Sequence, residues 1–195
     1  MIDLFSIPIY ITKVPNHEHI KTVVSNNIEQ QGTPKTWNCS VNSSFGTSYF
    51  WLCDLLDNYN FLYDEFFYKL KCKVDISITD AWYNDYSVGD FQEQHHHLPA
   101  DFSCIHYVQL NSKHQGTTFV NPNRLLNSNN KVLKHIYPET FTPYVTEGDV
   151  IIFPSYMEHF VKKQQIEDRR ITLSWNLKIK SLIPLDTDPN LCHTT

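Results

Sequence analysis

Glycine is scarce in this chain, at 5 of 195 residues, so each one marks a place where the backbone needs it. Three of them, Gly89, Gly116 and Gly148, fall in the second half, between short β-like runs, and read as turns. No apolar run approaches the roughly 18 residues that a membrane span requires, which argues against a transmembrane helix. The apolar N-terminus "MIDLFSIPIYITKVP" lacks a basic leader and is interrupted by Asp3 and Pro8. It reads as a strand built on Leu4, Ile7, Ile9 and Ile11 rather than as a signal peptide. The five cysteines (Cys39, Cys53, Cys72, Cys104 and Cys192) are scattered, odd in number and without a CxxC pair, so reduced thiols in a cytoplasm are expected. Basic residues are outnumbered, 16 to 21, giving a formal net charge of -5. That balance argues against nucleic acid, although Lys162-Lys163 and Arg169-Arg170 leave room for a small basic rim.

What remains is a globular composition, 41% hydrophobic and 19% charged, of a length that suits one domain with a sizeable core. Repeats are absent. Residues 1–74 read as an N-terminal strand and helices, 75–180 as a strand-rich core and 181–195 as a tail, all within a single domain over 1–195. Ile20, Val23, Val24 and Ile28 recur at helical spacing, with Asn16 as N-cap and Gly32 and Pro34 as the stop. The segment around Trp37 to Gly46 is polar and loop-like. "LLDNYNFLYDEFFYKLKCKV" reads as one second helix whose Leu55, Leu56, Phe61, Leu62, Phe66 and Leu70 can face a core. From residue 75 the period becomes two. Strands are expected in "DISITDAWYNDY", "FSCIHYVQL", "TTFV", "PYVTEGDVIIFPS" (strand, Gly turn, strand) and "RRITLSWNLKI". "NPNRLLNSNNKVLKHIYPE" reads as a long Asn-rich loop. Two helices followed by many short strands favour an α+β chain whose β part is a sandwich or barrel, with the helices layered on one face. Long alternating βα units are missing, which disfavours a doubly wound sheet.

The chemistry-bearing stretch is "GDFQEQHHHLPADF". Residues two apart on a strand share a face, so His95 and His97 can converge while His96 turns away. By itself the triplet fits a solvated polar loop equally well. His159, after the buried run and Pro-Ser turn of "GDVIIFPSYMEHFV", supplies a third imidazole from a distant strand, and an open metal site needs three protein ligands. In "EDRRITLSWN", Arg170, Thr172, Ser174 and Asn176 share one face, and Ile171, Leu173 and Trp175 the other. Such a strand suits a surface. If its polar face points into a barrel, Arg170 is a buried cation that needs an anion such as a dicarboxylate.

"NDYSVGDFQEQHHH", "FPSYMEH" and "RRITLSWN" together resemble the 2-oxoglutarate and Fe(II)-dependent oxygenases, and within them the small oxygenases of cyanophages and marine bacteria. Asn84, Tyr86, Gly89, His95, His159 and Arg170 fall on the superfamily pattern, and Thr172 keeps the hydroxyl of its Arg-x-Ser. The resemblance covers roughly residues 75–180. It implies a double-stranded β-helix (a jelly-roll or cupin-like barrel) with N-terminal helices packed on one face. It also implies Fe(II) held by His95, His97 and His159, and 2-oxoglutarate held by Arg170 and Thr172. Asn84, Tyr86 and Tyr107 would complete that pocket, although Tyr107 also suits ordinary strand packing. Asn176 would stand behind the ligands or line the barrel. The implied reaction is hydroxylation of a small-molecule or peptidyl substrate with release of succinate and CO2, in a cytoplasm (a host's, for a viral chain). Neither nucleic acid nor membrane is an expected partner, and the aromatic excess leaves a homodimer open.

One departure stands out: the superfamily's carboxylate ligand is replaced by His97, and Asp90, Glu93 and Asp101 lie off the motif. That keeps open a three-histidine cupin-type dioxygenase that uses no 2-oxoglutarate, and a non-catalytic jelly-roll module. With ordinary imidazole pKa values near ~6.5, iron is expected to leave below about pH 6. Trp82 and Trp175 read as core, His106 as a satisfied interior histidine, and His114 and His135 as loop residues.

Overall fold

The helical spacing of Ile20, Val24 and Ile28 is realised in α1 (His17–Gln31), which buries all three side chains. The computed structural model describes residues 6–32, 40–46, 50–127 and 129–185. Leu4, Pro34, Trp37, Cys39, Cys192 and the tail from 186 onward therefore lie outside the described residues. Asn16 occupies the N-cap, but its side-chain amide donates to Asn58 Oδ1 at 3.2 Å instead of receiving a helix N–H. Gly32, at φ 68°, ends the helix by donating its N–H to the Ile28 carbonyl.

The second helical region differs from the single helix expected. It starts earlier, as α2 (Phe50–Leu56), tightens into a 3₁₀ turn over Asp57–Tyr59, and resumes as α3 (Asn60–Lys69). Lys71, at φ 58°, then reverses the chain, so Cys72, expected to be helical, begins a strand.

The strands are β1 (Tyr10–Lys13), β2 (Asn42–Ser43), β3 (Cys72–Tyr86), β4 (Gln92–His95), β5 (Phe102–Gln109), β6 (Thr117–Val120), β7 (Thr140–Phe141), β8 (Asp149–Pro154), β9 (His159–Val161) and β10 (Arg170–Pro184). Three details depart from the sequence reading. Strand β10 runs through Pro184, past the point where a tail was expected. Residues 143–147 form no strand, because Asp149 folds back to accept hydrogen bonds from the Thr146 N–H and hydroxyl. The expected Asn-rich loop contains α4 (Arg124–Asn127) and α5 (Lys131–Ile136), the latter capped by Asn130, whose side chain accepts from the N–H groups of Val132 and Leu133.

All strand pairings among the described residues are antiparallel. One sheet has the order β1-β8-β5-β10-β3-β2 and the other β4-β9-β6-β7. The two sheets face each other as a double-stranded β-helix, an α+β chain with α1, α2 and α3 on one face of the larger sheet. Alternation explains the layering. On β8, Val150 and Ile152 turn outward to meet Ile20, Val24 and Ile28 of α1, while Ile151 and Phe153 turn inward with Ile105, Phe119 and Met157. On β10, Ile171, Leu173, Trp175 and Leu177 join the helix-side core, which leaves Arg170, Thr172 and Ser174 for the interior. Each fully buried aliphatic side chain in these layers contributes roughly 1.5–3 kcal/mol by leaving water. The long apolar face of β10 is thus what turns its polar face inward. Among the described residues no helix is long and apolar enough to cross a membrane.

Candidate metal centre

His95 ends β4 and His159 opens β9, and the two are direct cross-strand partners. Their ring centroids lie 4.3 Å apart. His97 arrives by a different route from the one the sequence suggests. The strand stops at His95, so a two-residue alternation does not deliver it. A loop does, pinned where the His97 N–H donates to the Ser155 carbonyl at 2.9 Å, just beyond the end of β8. The His97 ring then sits 5.0 Å from that of His95 and 5.1 Å from that of His159. One ring nitrogen from each of the three lies within 4.8 Å of the others, a set able to hold one ion. His96 is exposed and stands apart.

Two of the rings have their tautomer set by the backbone. His95 Nδ1–H donates to the Glu93 carbonyl at 2.7 Å and His159 Nδ1–H to the Met157 carbonyl at 2.9 Å. Each therefore keeps its Nε2 lone pair available, as a metal-binding imidazole requires. Burial pushes all three pKa values down, and repulsion from the neighbouring cluster imidazoles adds to it for His97 and His159. His97 falls to about 3, and His159, wholly enclosed, is held well below its ordinary value. The cluster is neutral imidazole at neutral pH.

No carboxylate joins this group among the described residues. Asp101 instead accepts from the Ile179 N–H and pairs with Lys178, and Asp90 accepts from the Ser87 N–H.

Arg170 lines the same narrow cavity. It is 1% exposed, and its guanidinium carbon lies 4.4 Å from the Tyr86 ring centroid and 5.7 Å from that of Tyr107. A long 3.5 Å contact to Thr117 Oγ1 engages it, and its Nε and Nη1 have no hydrogen-bond partner among the described residues. Thr172 pairs across the sheet with both Asn84 and Tyr107. Asn84 Oδ1 and the Tyr107 hydroxyl are buried without a well-directed partner among the described residues, whereas the Tyr86 hydroxyl donates to Gln92 Oε1 at 2.8 Å. A buried cation with free donors, ringed by uncommitted polar atoms, is costly unless an anion meets it.

The neighbouring Arg169 behaves differently. It grips Asp85 through two hydrogen bonds, at 3.0 and 2.6 Å, on the outer side. Asn176 does not line the cavity. It accepts from Ser103 Oγ, which bonds Ser155 Oγ, and the carbonyl of Ser155 holds the His97 backbone, so Asn176 stands behind His97 through a short chain. His106 is an interior residue bonded to the Tyr59 hydroxyl at 2.7 Å and to His17 Nδ1 at 3.1 Å. Trp175 is core, but Trp82, expected in the core, lines the cavity 5.2 Å from the His97 ring. Thr117 and Gln92 also line it and carry no sequence signal of their own. A roomier cleft of about 640 Å³ lies between α3 and the start of β3, away from the histidines.

These features define a double-stranded β-helix protein with a cluster of three imidazoles and a buried arginine whose donors face the same cavity. Residues 80–176, about half of the chain, match the sequence model of the family described as "Putative 2OG-Fe(II) oxygenase". The chain belongs to the 2-oxoglutarate- and Fe(II)-dependent oxygenases.

Solved structures share the fold at low identity. A 2OG-Fe(II) oxygenase family oxidoreductase from Burkholderia pseudomallei is 12% identical, with a TM-score of 0.63 over 87% of this chain and 84% of its own. The viral collagen prolyl hydroxylase of Paramecium Bursaria Chlorella virus-1, in its 2OG complex, is 12% identical, with a TM-score of 0.58 over 89% and 96%. The non-heme alpha ketoglutarate dependent epimerase SnoN from nogalamycin biosynthesis is 9% identical, with a TM-score of 0.65 over 93% and 83%. No curated protein matches the sequence. The superfamily's cofactors are Fe(II) and 2-oxoglutarate, and the donor set fits both: neutral imidazoles for the ion, free guanidinium donors for a carboxylate.

Proposed function

We propose that the protein is a dioxygenase that hydroxylates its substrate at the expense of 2-oxoglutarate and O2, releasing succinate and CO2. The observation that carries this reading is Arg170, a buried cation with two free donor atoms in the cavity that also holds the three imidazoles. His95, His97 and His159 are the proposed ligands of Fe(II). Together the ion and 2-oxoglutarate supply oxygen activation and oxidative decarboxylation.

The chain's own groups do the rest. Arg170 and Thr172 hold the distal carboxylate, with the Tyr86 ring as a platform beneath the guanidinium. Asn84 and Tyr107 offer the remaining hydrogen bonds, and Asn176 keeps the His97 backbone in place. Three neutral ligands would leave both positive charges of the ion uncompensated, which favours an anionic chelating group over a neutral one. The same reading takes residues 1–195 as one oxygenase domain, supported by the core that α1, α2 and α3 share with the larger sheet. Its substrate is a small molecule or a peptidyl residue. Relatives in fold include a Pseudomonas putida prolyl-4-hydroxylase and HygX bound to hygromycin B. SnoN is an epimerase, so the outcome for the substrate rests on product analysis.

The test is succinate formation from 2-oxoglutarate by iron-loaded protein under O2, screened for stimulation by substrate. Metal retention with no 2-oxoglutarate binding would replace this reading with a three-histidine cupin-type dioxygenase. Absence of metal retention would leave a non-catalytic module.

A further inference from the structure

Strand β3 presents a row of alternating residues to the cavity: Trp82, Asn84 and Tyr86, paired in register with Ser174, Thr172 and Arg170 of β10. The two ends of the row meet different groups. Tyr86 lies against the Arg170 guanidinium, whereas Trp82 lies beside His97. At about 3.3 Å per residue, Trp82 is roughly 13 Å of strand from Tyr86. A five-carbon dicarboxylate has four C–C bonds of about 1.5 Å and spans only about 5 Å. Held at Arg170 by one end, it uses up the Arg170 side of the histidines and leaves Trp82 unspent.

Trp82 is 3% exposed, and its Nε1 is buried with no hydrogen-bond partner among the described residues. An indole N–H is a donor only, and leaving it buried and unmatched costs about 1–3 kcal/mol. Trp175, in the helix-side core, leaves its Nε1 unmatched as well; Trp82 is set apart by its place in the cavity wall beside His97. Phe45 packs edge-on against Trp82 at 5.0 Å and is itself 37% exposed, so one residue separates Trp82 from the surface there.

We infer that Trp82 determines substrate specificity, its indole N–H receiving a carbonyl oxygen of the substrate beside the histidines. This rests on the function proposed above and narrows it to carbonyl-bearing substrates such as amides and peptides. A site built to satisfy a buried donor discriminates strongly against analogues that lack the acceptor.

The test uses the full chain with ¹⁵N-labelled tryptophan, loaded with Zn(II) and 2-oxoglutarate so that nothing turns over. Loss of one indole resonance in Trp82→Phe assigns the Nε1–H. Titration of wild-type protein with N-methylacetamide is expected to move that resonance downfield in a saturable way, and Trp82→Phe is expected to bind the probe at least about fivefold more weakly. Its 2-oxoglutarate affinity by calorimetry should match wild type. A resonance that shifts fully with 2-oxoglutarate alone, or that N-methylacetamide leaves in place, overturns the inference. Failure of wild-type protein to bind Zn(II) or 2-oxoglutarate at all would instead sink the proposed function.

Discussion

Arg170 and Tyr86 are cross-strand partners, and the guanidinium carbon of the first lies 4.4 Å from the ring centroid of the second. A planar cation on an aromatic face keeps its edge donors free, and lysine could not reproduce that arrangement.

Arg170→Met is therefore expected to act in opposite directions on two properties. Affinity for 2-oxoglutarate should fall by at least about 2 kcal/mol, roughly 30-fold, the scale for losing one side of a buried charged contact. The stability of the protein without 2-oxoglutarate should hold or rise, because replacing an unpaired buried ion by an apolar side chain is often neutral or stabilising. Calorimetry of the metal-loaded variant and thermal unfolding of the metal-free one check the two halves. An unchanged affinity would remove 2-oxoglutarate from the site.

His97→Ala and His159→Ala should each abolish iron retention through desalting, and His96→Ala should leave it intact. Elemental analysis reads the outcome. Equal iron in all three variants would show that these imidazoles do not share an ion.

Lower pH should destabilise the metal-free protein. His106 is fully buried, and burial pushes its pKa down to about 3 in the folded chain, against about 6.5 unfolded. Between those values the unfolded state binds a proton that the folded state refuses. The stabilisation is fully present above pH 6.5 and is lost as pH falls, at about 1.4 kcal/mol per unit for one such group. The site histidines shift in the same direction and add to the slope. Iron should accordingly be retained below pH 6, in contrast to what unperturbed imidazoles would suggest. Denaturant unfolding at pH 7.5, 6.5 and 5.5, with metal content measured alongside, tests both statements.

Gly148→Ala should destabilise the fold by about 1–2 kcal/mol. Gly148 has φ 84°, and a Cβ there would stand 3.1 Å from the His17 ring. Its N–H also donates to the Tyr107 carbonyl, which ties the turn to β5. A thermal midpoint equal to wild type would show that this turn yields without cost.

The sequence alone determined the layers. The alternation along β10 sorts Ile171, Leu173, Trp175 and Leu177 from Arg170, Thr172 and Ser174, because successive side chains on a strand point to opposite faces, although both faces are buried here. The amphipathic spacing of α1 is legible for the same reason. Local signals were also present, though weaker, in Asn130, which caps a helix inside a stretch that reads as loop. Tertiary structure alone decided how distant residues meet. His97 reaches the cluster through a loop hydrogen bond to Ser155, not through strand alternation. Trp82 looks like core in the sequence but faces the histidines, and Thr117 and Gln92 become cavity wall only when β6 and β4 are laid against β9. Alternation is a property of neighbours in the chain. Convergence is a property of sheet order and register, which arise from pairings many residues apart and leave no mark within any short segment.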